Sequence, residues 1–138
     1  NAQNSKMNKE KKMRNETGYF LDTYAMIEIA KGNKKFEDFL EKELFTSLFN
    51  LYEFYFIMLR DFSEAIAKEF FYQFKRRLID VKDEHIFTAA EFRKKHAKKG
   101  LSYVDCLGYA IALDIGIKFL TGDSAFEDVN NVEFVKRE

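Results

Sequence analysis

Apolar residues in this chain fall into two patterns: short unbroken runs, and longer stretches at helical spacing. The runs are Tyr19-Phe20-Leu21 behind Gly18, Leu44-Phe45-Thr46, Leu78-Ile79 with Val81, Ile117-Lys118-Phe119-Leu120, and residues 132–135. Runs of this length, bounded by Gly or polar residues, predict buried strands. Helical spacing covers residues 23–31, closed by Gly32 just past the end, and 34–42, with Phe36, Phe39 and Leu40 on one stripe. Further helices are predicted over 50–59, 61–76, 83–98 and 102–115. In the 61–76 segment Phe62, Ile66, Ala67, Phe70, Phe71 and Phe74 share a face. Strands alternate with helices, and only the last connection is short enough to leave a hairpin open. The pattern therefore predicts βαβ units: an α/β fold, three layers α/β/α, with a mostly parallel sheet of about five strands.

Residues 1–16 show no periodicity and carry five Lys/Arg against two Glu. They are expected to be a disordered tail or an added remnant, with Met7 or Met13 as a candidate natural start, and residues 17–138 to form the domain. A length of 138 residues with 46% hydrophobic side chains suits one domain with a core and excludes global disorder. No signal-peptide core is visible, and the longest apolar stretch, residues 44–59, is interrupted by Asn50 and Glu53. It falls short of the roughly 20 residues of a membrane span, so a soluble, cytoplasmic protein with no membrane association is expected. Cys106 stands alone, which excludes an internal disulfide and a cysteine zinc site. It is read as inert packing, and His85 and His96 as ordinary surface residues. Sixteen Phe and no Pro point to a helix-rich interior packed by aromatic rings.

Ligands of an open parallel sheet bind beyond the carboxyl ends of its strands. The first apolar run ends in Asp22 and the fourth in Thr121-Gly122-Asp123. If those strands are parallel neighbours, two aspartates stand at one edge; for either alone, the plain alternative is a helix cap. The segment 102–115 is apolar nearly all round, and its only charges are Asp105 in the first turn and Asp114 at the end. Ser102-x-x-Asp105 reads as a capping box, as do Asn50-x-x-Glu53 and Asp61-x-x-Glu64. What sets Glu53 and Asp105 apart is their apolar setting, where a carboxylate is costly unless paired or metal-bound. Four converging acids without a basic partner suit a hard divalent cation, Mg²⁺ or Mn²⁺, which activates water for phosphodiester hydrolysis.

The residues Phe20-Leu21-Asp22-Thr23, then Glu53 about thirty positions on, Asp105-x-x-x-x-Ala110-x-Ala112 and Thr121-x-Asp123-x-x-Phe126 together resemble the PIN-domain signature. More closely, the chain resembles the VapC-type toxin ribonucleases of prokaryotic toxin–antitoxin pairs, over residues 18 to 135. The resemblance implies a PIN-like fold with a five-stranded parallel sheet and endoribonuclease activity. It also implies that Asp22, Glu53, Asp105 and Asp123 are the catalytic acids and the ligands of Mg²⁺ or Mn²⁺. Thr121 would be the hydroxyl residue beside the last acid, with Thr23 supporting, and the partners would be RNA, a second copy in a homodimer and a small antitoxin whose C-terminal arm enters the site. Tyr24 stands where the family usually has a small polar residue, and the surroundings of Glu53 are more aromatic than usual. Glu127 and Asp128 are candidate fifth acids, with nothing to choose between them. Tyr24 also occupies the place where a haloacid-dehalogenase-type phosphatase needs its second aspartate, and no glycine-rich phosphate loop exists.

A net charge of zero hides a polarised chain. Residues 75–99 carry nine Lys/Arg against four Asp/Glu. Within them, Arg93-Lys94-Lys95-His96-Ala97-Lys98-Lys99 has no acid and directly precedes the helix bearing Asp105. Beside a phosphodiesterase site, Arg93, Lys94, Lys95, Lys98 and Lys99 are candidate RNA contacts; the alternative is a solvated basic helix end. Lys75-Arg76-Arg77 is a second cluster, and Phe70-Phe71-Tyr72-x-Phe74 is expected to supply core and a partner-binding surface. The leading expectation is a metal-dependent endoribonuclease acting as a toxin. The alternatives are a PIN nuclease of tRNA or rRNA processing and a non-catalytic PIN-fold module that binds RNA or protein.

Overall fold

A computed structural model describes residues 18–138; the expectations for residues 1–16 lie outside it. In chain order the elements are β1 (Gly18–Leu21), α1 (Thr23–Ala30), a 3₁₀ segment (Lys34–Glu41), β2 (Glu43–Phe45), α2 (Leu48–Asp61), α3 (Glu64–Lys75) and α4 (Asp83–Lys95). A short 3₁₀ turn (Ala97–Lys99), α5 (Tyr103–Ile115), β3 (Lys118–Thr121), a second 3₁₀ turn (Ser124–Phe126) and β4 (Val132–Phe134) follow. The sheet order is β2-β1-β3-β4, and every pairing is parallel. The last connection is thus a crossover too, not a hairpin.

Side chains alternate across a strand, so neighbouring residues of β1 and β3 feed opposite cores. Phe20 and Phe119 stack at 5.9 Å beneath α4 and α5, together with Tyr109, Ile111 and Phe126. Leu21 and Leu120 face the other way, onto Ala25, Met26, Leu51, Phe54 and Phe74 from α1, α2 and α3. These two cores make three layers. At Gly108 a Cβ would lie 2.7 Å from the Phe20 ring, so glycine is what lets α5 lie close against the sheet. That close approach fixes the height of the whole first turn of α5, where Asp105 sits.

Several elements differ from their sequence reading. The run at Leu78 makes one bridge with Thr46 rather than a strand, held by Thr46 N–H to Arg77 O and Ile79 N–H to Thr46 O, both 2.9 Å. Asp80 and Lys82 follow at once, so the apolar run is too short to extend the ladder. Helix α2 begins at Leu48 with Ser47 as its cap, not at Asn50, and α3 is capped by Ser63, not Asp61. The segment after Gly32 is 3₁₀, and only Phe36 of its stripe is fully buried. His85 is buried rather than superficial: its Nδ1 accepts the Lys82 N–H at 3.0 Å, and Nε2 lies 2.8 Å from Asp114. It substitutes for a capping side chain at α4 and ties that end to the last turn of α5. Among the described residues no helix is long and apolar enough to cross a membrane.

Candidate active site at the carboxyl edge of the sheet

Asp22 leaves β1 with its N–H still bonded to Leu120 O (3.1 Å), and its extended backbone makes it the cap of α1. Its Oδ1 accepts the Thr23 N–H at 2.9 Å, and its Oδ2 accepts the Thr121 hydroxyl at 2.6 Å. The register of β1 against β3, Leu21 opposite Leu120, puts those two side chains at the same height. Thr121 Oγ1 also accepts the Asp123 N–H at 3.0 Å, and Asp123 Oδ1 caps the turn that follows by accepting the Ala125 N–H at 3.0 Å. Both strand-end aspartates are therefore caps, and one hydroxyl joins them.

The capping box of α5 exists as well. Asp105 Oδ2 accepts the Ser102 N–H (2.9 Å) while Ser102 Oγ accepts the Asp105 N–H (3.0 Å), leaving Oδ1 outside the box. The box expected at Asn50-x-x-Glu53 does not form, because Ser47 is the cap. Asn50 is instead fully buried. Its Oδ1 accepts the Ser47 hydroxyl at 2.6 Å, and its Nδ2 donates to Thr23 Oγ1 at 3.1 Å. Thr46 adds a hydroxyl bond to Leu21 O at 3.0 Å. Thr46, Ser47 and Asn50 thus tie the start of α2 to the start of α1, a role the sequence reading gave to none of them. The available signal was Ser47-x-x-Asn50, a cap pattern one turn before the residue chosen as the cap. Glu53 stands half-buried one turn further on, carried by the same helix.

The acids act on one another. Burial, and then the charge of Asp105, push the Asp22 carboxyl up to about 8, against the bonds from Thr121 and Thr23; Glu53 adds to the rise. Burial also raises Asp105, the Ser102 bonds oppose it, and the charges of Asp123 and Glu53 raise it further. Asp22, Glu53, Asp105 and Asp123 therefore share one electrostatic neighbourhood that favours a bound proton or cation. As arranged, no three His, Cys, Asp or Glu side chains among the described residues converge closely enough to ligate one ion. The donors are all carboxylate oxygens, which is the chemistry a hard cation prefers. Cys106 next door is buried, its thiol pushed up to about 11 by burial and by Asp105, and so is inert.

The basic segment divides in two. Arg93 Nε donates to Leu101 O at 3.0 Å and its guanidinium lies 4.0 Å from the Tyr103 ring centroid. Lys99 pairs with Asp128 at 2.6 Å and donates to Ala125 O at 3.3 Å. Asp128 is thereby engaged by Lys99, whose bond holds its carboxyl below the usual range. Lys94, Lys95 and Lys98 are exposed and form no ion pair among the described residues.

The PIN domain family profile matches residues 19–132, from β1 into β4. This chain belongs to the PIN domain family. Comparison with curated protein sequences yields no match. Among solved structures the PIN domain is similar to Mycobacterium tuberculosis VapC20, a toxin that cleaves the sarcin–ricin loop, with a TM-score of 0.72 and 20% identity over 83% of this chain and 97% of that one. It is also similar to a chain of a toxin–antitoxin complex from Klebsiella pneumoniae (TM-score 0.68, 17% identity, 87% of this chain and 98% of that one). A third likeness is to a chain of VapBC2 from Rickettsia felis bound to a DNA fragment from its promoter (TM-score 0.67, 20% identity, 86% and 97%). At these identities the likeness is one of fold, across nearly the full length of each relative.

Proposed function

We propose that this PIN domain is a divalent-metal-dependent endoribonuclease of the VapC type, the toxin of a toxin–antitoxin pair. The observation that carries the reading is the shared neighbourhood of Asp22, Glu53, Asp105 and Asp123, in which a fully buried carboxylate is bonded by Thr121 and repelled by its fellows. These four would hold Mg²⁺ or Mn²⁺, which supplies charge neutralisation and activates water at an RNA phosphodiester. The chain's own residues do the rest. Thr121 donates to Asp22 and accepts from the Asp123 main chain, so it fixes the orientation of both acids. Asn50 holds the Thr23 hydroxyl and ties the start of α2, the helix that carries Glu53, to the start of α1, which Asp22 caps. Lys94, Lys95 and Lys98 attract the phosphate backbone.

The similarity to a sarcin–ricin loop-cleaving toxin makes that loop the first substrate to try. A protein partner is supported by the outer face of α2, where Leu48, Phe49, Tyr52, Phe56 and Leu59 are all exposed, with Tyr72 of α3 beyond them. An apolar face of this extent on a monomer marks an interaction surface, and an antitoxin and a second copy are the partners proposed. The test is RNA cleavage titrated against Mg²⁺ and Mn²⁺, with Asp22→Asn as control. Metal-dependent cleavage that the variant loses supports the reading. RNA binding without cleavage at any metal concentration would leave a non-catalytic module.

A further inference from the structure

Between α4 and α5 lies a cavity of about 590 Å³, within the roughly 300–1,000 Å³ of small-molecule sites. Its walls are small and apolar, with Ala89, Ala90, Leu101 and Cys106 among them, and Arg93 and Lys94 line its rim. Tyr103 lines it too, two residues before Asp105, and is 75% exposed. We propose that this cavity is a nucleobase subsite: it takes the base of one nucleotide next to the cleaved phosphodiester, stacked on Tyr103, with a flanking phosphate on Arg93 and Lys94. The proposal rests on the RNA reading above and adds to it where a base, rather than a phosphate, is held.

Three observations argue for this occupant. First, Tyr103 lines the cavity and is largely exposed although the Arg93 guanidinium lies over its ring, so ring surface remains for a base to stack on, the sequence-tolerant contact of single-stranded RNA. Second, Arg93 is positioned through Nε by Leu101 O, so its terminal nitrogens remain as donors for a phosphate. Third, the charge of the surroundings matches a polyanion: residues 93–99 hold five Lys/Arg and no acid. A second copy of this chain fits less well. A two-fold contact would set this patch against itself and bring like charge, Arg93 and Lys94 with their copies, into one interface.

The chain contains no tryptophan, so Tyr103→Trp places a single indole at the cavity mouth. Its fluorescence in the full chain, in EDTA so that no cleavage intervenes, is followed as single-stranded RNA octamers are added, each with one abasic residue at a different position. Quenching by the intact octamer is expected. One abasic position should abolish the quench and weaken binding by about 5–100-fold, the effect of one lost stack. Ala90→Phe, at an exposed position on the cavity wall, should remove that discrimination while leaving the salt dependence of binding unchanged, since every cation is kept. Equal affinity for all abasic octamers would overturn the subsite, whether or not the same RNA is cleaved when metal is added. So would Ala90→Phe disrupting a dimer in sedimentation while base discrimination persists. RNA neither bound nor cleaved under any condition would remove the proposed function along with it.

Discussion

The Asp22 corner and the first turn of α5 hold their carboxylates in opposite ways. Asp22 is buried, and each of its oxygens accepts a bond, from Thr23 and from Thr121. Asp105 is only partly buried, and its one oxygen in the capping box secures the start of a helix. Both are raised by burial and by neighbouring acids. The contrast shows that a structural role and a reactive environment are not alternatives: at Asp105 one side chain supplies both, and at Asp22 the cap itself is under electrostatic load.

The largest effect is expected at Asp22. Asp22→Asn should lower cleavage by at least about 10²–10³-fold, the loss of several kcal/mol of transition-state stabilisation, measured with saturating RNA and Mg²⁺. Above about pH 8, where the parent carboxyl is ionised, the metal-free variant should melt no lower than the parent, because the amide keeps hydrogen-bonding capacity and sheds the repulsion. The pH dependence follows from the same group. Its folded pKa of about 8 lies above its ordinary value of 3.8, so the folded chain holds a proton that the unfolded chain releases. The contribution of Asp22 to metal-free stability is therefore greatest at acid pH and falls as pH rises from about 4 to about 8. Thermal midpoints from pH 5 to 9 should show this fall in the parent and a flatter profile in Asp22→Asn. Stabilisation by added Mn²⁺ should grow over the same window, since the cation replaces the proton. A Mn²⁺ effect equal at pH 5 and pH 8 would break the comparison at its Asp22 end.

Asp105 tests the other end. Asp105→Ala should lose cleavage and also about 0.5–1.5 kcal/mol of stability, the usual net worth of one hydrogen bond such as its bond to the Ser102 N–H, read from denaturant midpoints. Asp105→Asn keeps an acceptor for the Ser102 N–H and should lose cleavage alone. Equal destabilisation by both would assign the charge itself to the cap. Thr121→Val is expected to cost about 10–100-fold in activity, the usual loss of a partner that orients a ligating carboxylate, with KM for RNA little changed. The smallest effect concerns the lysines. Neutralising Lys94, Lys95 and Lys98 should reduce the log–log salt slope of RNA binding by about 0.7 for each phosphate contact removed. Lys99→Met should leave that slope alone, because Lys99 is already paired with Asp128.

The strand-ending acids were legible because two patterns coincided: a buried run and an abrupt Asp. β1, α1 and α5 follow the sequence closely, for their apolar spacing and end signals agree. The helix starts at α2 and α3 differ from the expectation because two cap candidates lie within three residues of one another, Ser47 and Asn50, Asp61 and Ser63, and spacing alone does not say which side chain reaches the free N–H groups. Leu78 was overread since three apolar residues suffice to suggest a strand, whereas a ladder also needs an edge long enough to receive it. His85 was misplaced because its partner, Asp114, is 29 residues away, and a polar residue preceded by Asp83 and Glu84 gives no local sign of burial. The Asn50–Thr23 bond joins residues 27 apart and was invisible for the same reason.

The bond between Thr121 and Asp22 spans 99 residues. The central strand is made first, yet its companion β3 and the hydroxyl that orients its aspartate come near the other end. Because the β1–β3 pairing joins Tyr19 to Lys118 while β1–β2 joins Gly18 to Glu43, the former carries the larger loop-closure cost, and this corner is expected to close after β1 and β2 have paired. On the ribosome the consequence is temporal. A nascent chain with β1, α1 and α2 already emerged still lacks Asp105, Thr121 and Asp123, so the four acids come together only after nearly all of the domain has been synthesised. A truncated translation product would carry Asp22 and Glu53 as two unassisted carboxylates, so the order of synthesis keeps the proposed site incomplete until the domain is nearly whole.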